Sequence, residues 1–205
     1  MIIVNCALCM LWDNNDDIKL IECENRARII QRRLDECREE RRPYVFVTPT
    51  MTIKPLRRLL VPVSMLEEET YKAEICTYIA RKTGAHIILL QANDYGSHAR
   101  QNVNRIVTHI KKINEKLSNT PSSVTDTSSL ISYEIAQARK DSFGLIREAA
   151  ERQRDFRHDL LILTASRDYG LDDLLFGPPE RKAIQRALVP VMLVNPREDL
   201  FSLCD

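Results

Sequence analysis

Short apolar runs alternate with amphipathic helical stripes along most of this chain. RLLVPV at 58–63 shows no polar alternation, the pattern of a strand buried on both faces. The stretch after it sets Ala73, Cys76, Ile79 and Ala80 at helical spacing, with Gly84 where a helix ends in a left-handed residue. HIILLQA at 86–92 predicts a second buried strand. QNVNRIVTHIKKINEKL then aligns Val103, Ile106, Ile110, Ile113 and Leu117 on one helical stripe. A Ser/Thr-rich stretch at 118–129 reads as a mobile surface loop. ISYEIAQA at 131–138 alternates apolar and polar residues, as a strand near a sheet edge does. SFGLIREAAERQRDF predicts a third helix, DLLILTAS at 159–166 a fourth strand, and PPERKAIQRAL a fourth helix opened by proline. PVMLVNP at 190–196 is the fifth strand. Alternation at these lengths builds βαβ units with right-handed crossovers, hence a parallel sheet covered by helices on both faces.

The first 57 residues follow another plan. MIIVNCALCML reads as a strand, 18–41 as a helix and YVFV at 44–47 as a strand. In that helix Ile18, Ile21, Ala27, Ile30, Leu34 and Cys37 form one apolar stripe, and the Arg and Glu residues between them form a solvated, ion-paired face. A lone β-α-β piece is too small to close a core by itself. Its last strand has a counterpart, however. PYVFVTP at 43–49 matches PVMLVNP at 190–196, about one domain length further on, and each follows a helix. The repeat predicts that 1–50 is the C-terminal part of a degenerate first domain, 51–57 a linker, 58–197 a complete domain and 198–205 a C-terminal tail. The strand near Ile2–Val4 is expected beside Tyr44–Val47.

Composition narrows the function. Thirty Lys+Arg against 29 Asp+Glu leave a formal net charge of +1, which argues against a protein built to grip a nucleic-acid backbone. There are only five glycines, and none falls in G-x-x-x-x-G-K-[ST], G-x-G-x-x-G or G-x-S-x-G. Cys6 and Cys9 form the one close pair among six cysteines. Without a second pair for zinc, and inside an apolar stretch, they read as reduced structural thiols. His86, His98, His109 and His158 are scattered and none stands beside a recognisable nucleophile, so no catalytic constellation and no metal set is expected. No signal-peptide pattern opens the sequence, and no apolar stretch nears the ~20 residues of a membrane span. A cytoplasmic protein is the expectation.

Two segments together resemble a known family. RLLVPVSMLEEETYKAEICTYIARKTGAHIILLQA is followed about seventy residues later by DLLILTASRDYGLDDLLFGPPERKAIQRALVPVMLVNP. They are similar to the universal stress proteins, whose domains open with a strand ending V-P-V and an Asp. Those domains close with a strand, a Gly-rich nucleotide loop, a helix and a P-V-L-V strand. The resemblance spans about 57–197 in order, and 1–50 resembles the last third of a second copy, as in tandem-domain members truncated at the front. It implies an α/β fold: an open five-stranded parallel sheet of order 3-2-1-4-5, flavodoxin-like, with helices on both faces, plus an N-terminal β-α-β partial repeat. It also implies pairing through P-V-L-V edges, giving a homodimer or an intrachain pseudo-dimer through 44–47 and 191–194.

Members of the family that bind ATP carry G-x-x-G, nine residues, then G-[ST] after the fourth strand. Glycines let the backbone approach the phosphates, and amides at a helix start hold them. Here the stretch is ASRDYGLDDLLFGP at 165–178. Ala165 and Asp168 replace the first two glycines, one residue is missing before Gly170, and Pro178 replaces the closing hydroxyl residue. Asp168, Asp172 and Asp173 bring negative charge, while Pro178 and Pro179 withdraw two amide donors. Ser64 stands in place of the acidic residue after V-P-V. ATP is therefore not expected as a cofactor. The cleft positions implied by the resemblance are Pro62, Val63, Ser64, Gln91, Ala92, Ala165, Ser166, Arg167 and Gly177. Two functions stay open. One is a non-catalytic regulatory or stress-response module working through dimerisation and protein partners. The other is a sensor of a nucleotide (ATP or AMP) or small molecule, regulating a transporter.

Overall fold

Strands rich in Leu, Ile and Val can be dry on both sides only inside a sheet with a helical layer on each face. The computed structural model, which describes residues 18–38, 42–119, 130–166 and 177–195, has that architecture. Along the chain run β1 (Lys19–Glu22), α1 (Ala27–Arg38), β2 (Tyr44–Val47), β3 (Arg58–Val63), a 3-10 turn (Glu67–Tyr71) and α2 (Lys72–Thr83). Then come β4 (His86–Gln91), α3 (His98–Asn119), β5 (Tyr133–Gln137), α4 (Ser142–Glu151) and the short α5 (Gln153–Phe156). β6 (Leu160–Thr164), α6 (Pro179–Arg186) and β7 (Val191–Val194) complete the order.

Among the described residues these strands form one sheet of seven, ordered β1-β2-β7-β6-β3-β4-β5. This corrects the expected sheet of five to one of seven, because β1 and β2 are added beyond β7. The five strands from Arg58 onward hold the relative order 3-2-1-4-5 within it. All neighbours are parallel except β2 and β7, which pair antiparallel with Tyr44 opposite Leu193, Val45 opposite Met192 and Phe46 opposite Val191. The expected union of 44–47 with 191–194 is thus made within one chain. Outward from this seam each side reads strand, helix, strand, β2-α1-β1 on one and β7-α6-β6 on the other, and α1 packs against α6.

Successive residues of a strand feed opposite cores. Leu59, Val61 and Val63 of β3 join Ile79 of α2 and Val103, Ile106 and Ile110 of α3 on one face. Leu60 joins Leu34 of α1, Leu145 and Ala149 of α4 and Ile184 of α6 on the other. The same rule corrects the expected helix at 18–41. Ile18 lies in the first core and Ile21 in the second, which no single helical stripe allows, and 19–22 is a strand parallel to β2. The helix begins only at Ala27 and buries Ile30, Leu34 and Cys37. The neighbour of Tyr44–Val47 is therefore Lys19–Glu22, not a strand near Ile2–Val4, and the run 1–11 lies outside the described residues. α3 continues to Asn119, taking in the start of the expected loop, and 120–129 lie outside the described residues. The 51–57 stretch buries Met51 and Leu56, and the Thr52 amide donates to Leu188 O. No helix among the described residues is long and apolar enough to cross a membrane.

His158, just before β6, is 1% exposed and its Nδ1 has no partner among the described residues. Burial, with the Arg58 charge, lowers its pKa to about 4. The unfolded chain takes up this proton near pH 6.5 and the folded chain only near 4. The contribution to stability is therefore complete above pH 6.5 and fades as pH falls through that window, by about 3 kcal/mol in all. Urea unfolding at pH 7.5 and 4.5 should show this loss, and His158→Phe should flatten it. An equal pH dependence in the variant would refute the assignment.

Candidate functional site

The helices following β3 and β4 cover one face of the sheet, and those following β5 and β6 cover the other. The chain therefore leaves the carboxyl ends of β3 and β6 in opposite directions, and a crevice opens where strand order reverses. It holds a cavity of about 390 Å³. Of the positions named from the resemblance, Pro62, Ser64, Ala165 and Ser166 line it, and so do Glu69, Lys72, Ser142, Phe143 and Thr164.

Its floor is a buried ion pair. Glu69 (6% exposed) and Lys72 (1% exposed) are one helical turn apart where the 3-10 turn passes into α2, and their carboxylate and ammonium are in contact. The Lys72 ammonium also donates to Pro62 O. On the other side of the carboxylate, Ser64 Oγ donates to Glu69 Oε1 at 2.7 Å, and Thr164 Oγ1 lies 3.4 Å from Oε2. Two charges taken out of water need such partners to be tolerated. Asn102 from α3 braces the loop above, donating from Nδ2 to Ser64 O at 3.0 Å and Leu66 O at 2.7 Å.

A second carboxylate occupies the end of β6. Glu180, in the first turn of α6 and 2% exposed, accepts the Ser166 amide at 3.0 Å and the Ser166 hydroxyl at 3.1 Å. Donors that could hold a phosphate are thus given to the protein's own anion, which the positive end of the helix also favours. Pro178 and Pro179, at the start of the helix, have no N–H to offer.

The third wall is set by Glu148 of α4. Burial pushes its carboxyl up, yet the Arg139 and Lys140 amides and the Arg152 guanidinium outweigh this and hold it below the usual range. That grip fixes the turn leading to Ser142, whose Oγ donates to Asp94 Oδ2 at 2.6 Å and accepts the Met65 amide at 2.9 Å. Phe143, next along, stands 87% exposed at the rim.

Other implied positions fall elsewhere. Val63 belongs to the core beneath α2 and α3. The Gln91 side chain donates to Gln137 Oε1, and Ala92 is buried with its amide on Val63 O. Gly177 is buried at φ 77, a left-handed backbone conformation that side chains rarely adopt, so the turn itself favours glycine there, and the Arg181 guanidinium occupies the space beside its Cα. Arg167 lies outside the described residues, as do Asp168, Gly170, Asp172 and Asp173.

The fold and crevice define a doubly wound α/β protein with its cleft at the switch point. No family model matches the sequence, and no curated protein matches it. Solved structures are similar to this one. A universal stress protein from Archaeoglobus fulgidus DSM 4304 superposes with a TM-score of 0.62 at 12% identity, over 93% of this chain and 64% of that one. This chain therefore spans less than two thirds of that protein's length. A universal stress protein in complex with cAMP is 12% identical (TM-score 0.48, 70% of this chain and 100% of that one). A functionally unknown protein from Pseudomonas aeruginosa PAO1 is 13% identical (TM-score 0.48, 86% and 63%). The fold of this chain is that of the universal stress proteins.

Proposed function

We propose that this chain is a universal stress protein-like, non-catalytic regulatory module that works through protein contacts and does not hold ATP. One observation carries the reading: Glu180 is buried on the Ser166 amide and hydroxyl. A triphosphate at the end of β6 would have to expel that carboxylate or lie against it. In this reading 1–50 is the C-terminal part of a degenerate first domain, 51–57 links it to the complete domain at 58–197, and 198–205 is a tail. Two features support it, the symmetric order around the β2–β7 seam and the repeat of the two proline-bounded strands. Because β2 covers β7, the chain supplies its own pairing partner there, and surfaces other than that edge meet the regulated protein.

Calorimetric titration with ATP is expected to give no binding heat at micromolar nucleotide. A dissociation constant near 1 μM, about −8.2 kcal/mol, would overturn the reading. Pro178→Ser combined with Glu180→Gln should shift affinity towards binding, since it restores an amide and removes a charge.

A further inference from the structure

The crevice that turns phosphate away is nevertheless a built cavity. Its volume of about 390 Å³ lies within the range of small-molecule sites, roughly 300–1,000 Å³. The walls are mainly apolar, with Pro62 and Leu163 from the strand ends and Ile146 from α4. At the mouth, Met65, Leu66 and Phe143 are exposed, Leu66 to 56% and Phe143 to 87%. Large apolar side chains gathered on the rim of a cavity mark a place where apolar matter binds.

The polar lining says what kind of matter. Ser64, Ser142 and Ser166 each spend their hydroxyl hydrogen on a carboxylate of the protein. Lys72 does not spend all of its hydrogens. An ammonium has three N–H donors. Among the described residues one goes to Pro62 O and one to Glu69, and the third has no partner although the side chain is buried and lines the cavity. Charge sets the remaining limit. Among the described residues lining the cavity, Glu68 and Glu69 outnumber the cation Lys72, and Glu180 sits behind Ser166, so these side chains favour an uncharged ligand over a further anion.

We propose that the cavity binds an uncharged, largely apolar small molecule bearing one acceptor oxygen, which takes the third N–H of Lys72 while Phe143 packs on the apolar body. This rests on the reading above that the crevice holds no polyphosphate.

Prodan, an uncharged naphthyl ketone whose emission moves to the blue in dry surroundings, is the probe. It should bind saturably at one site and shift the methyl NMR signals of Leu66, Ile146 and Leu163. Phe143→Ser, an exposed change that leaves the fold intact by thermal melting, should weaken it about ten-fold, as expected for losing one ring contact. Naphthalene without the ketone should bind more weakly than Prodan. The proposal falls if Prodan gives no saturable shift while ATP also stays silent. It falls too if Phe143→Ser binds as well as the parent, or if the shifted methyls lie elsewhere. Displacement of Prodan by ATP would instead overturn the earlier reading, and with it the exclusion of anions from this cavity.

Discussion

A chain shortened to begin at Met51 is expected to dimerise through β7 or aggregate. In the full chain every residue of β7 is buried, and β2 satisfies its outer edge. Removing residues 1–50 takes away β1, α1 and β2, and with them Tyr44, Val45 and Phe46, each at most 1% exposed. Burying each such side chain contributes about 1.5–3 kcal/mol. Their sum is comparable with the net stability of a whole domain, about 5–15 kcal/mol. What remains carries a flat apolar edge with unpaired N–H and C=O groups, a template for a second copy. Light scattering at high concentration tests this, with the full chain as control. A shortened chain that stays a well-folded monomer would show that the seam protects nothing.

Lys72→Met is expected to destabilise the protein by about 3–5 kcal/mol, because it leaves the buried Glu69 charge without its counterion. The loss arises from the charge and not from the packing, and a companion variant separates the two. Lys72→Met with Glu69→Leu removes both charges and should recover most of the loss. Recovery should stop short of complete, since Ser64 then loses the acceptor it holds at 2.7 Å. Urea unfolding of both variants measures the difference. A loss below about 1 kcal/mol for Lys72→Met would place the pair in water, contrary to its burial.

Much of the fold could be read from the sequence because parallel strands buried on both faces leave unbroken apolar runs. RLLVPV, HIILLQ and VMLV could hardly be anything else. The repeat of proline-bounded strands pointed to the seam. The misreading at 18–41 has an equally physical origin. Ile18 and Ile21 are three apart, a spacing that suits one helical face, but in a strand it sends them to opposite cores. Nothing local decides between the two, and the deciding contact, with 44–47, comes more than twenty residues later. The crevice was only half legible. Pro62, Ser64, Ala165 and Ser166 sit at strand ends, where topology puts a cleft. Glu69, Lys72 and Glu180 escaped notice because charged residues at the start of an amphipathic helix ordinarily face water. Their burial depends on Pro62, Ser64, Thr164 and Ser166, which come from other parts of the chain.

The seam also sets a schedule for biosynthesis. Val45 lies opposite Met192, so the ribosome completes β2 long before it reaches β7. At about 5–20 residues per second, the delay is roughly 7–30 s. During that time β1, α1 and β2 cannot complete the sheet, and their apolar side chains are open to whatever is nearby. Such a nascent segment is a natural client for a holding chaperone. β7, on leaving the ribosome, is the strand that releases it.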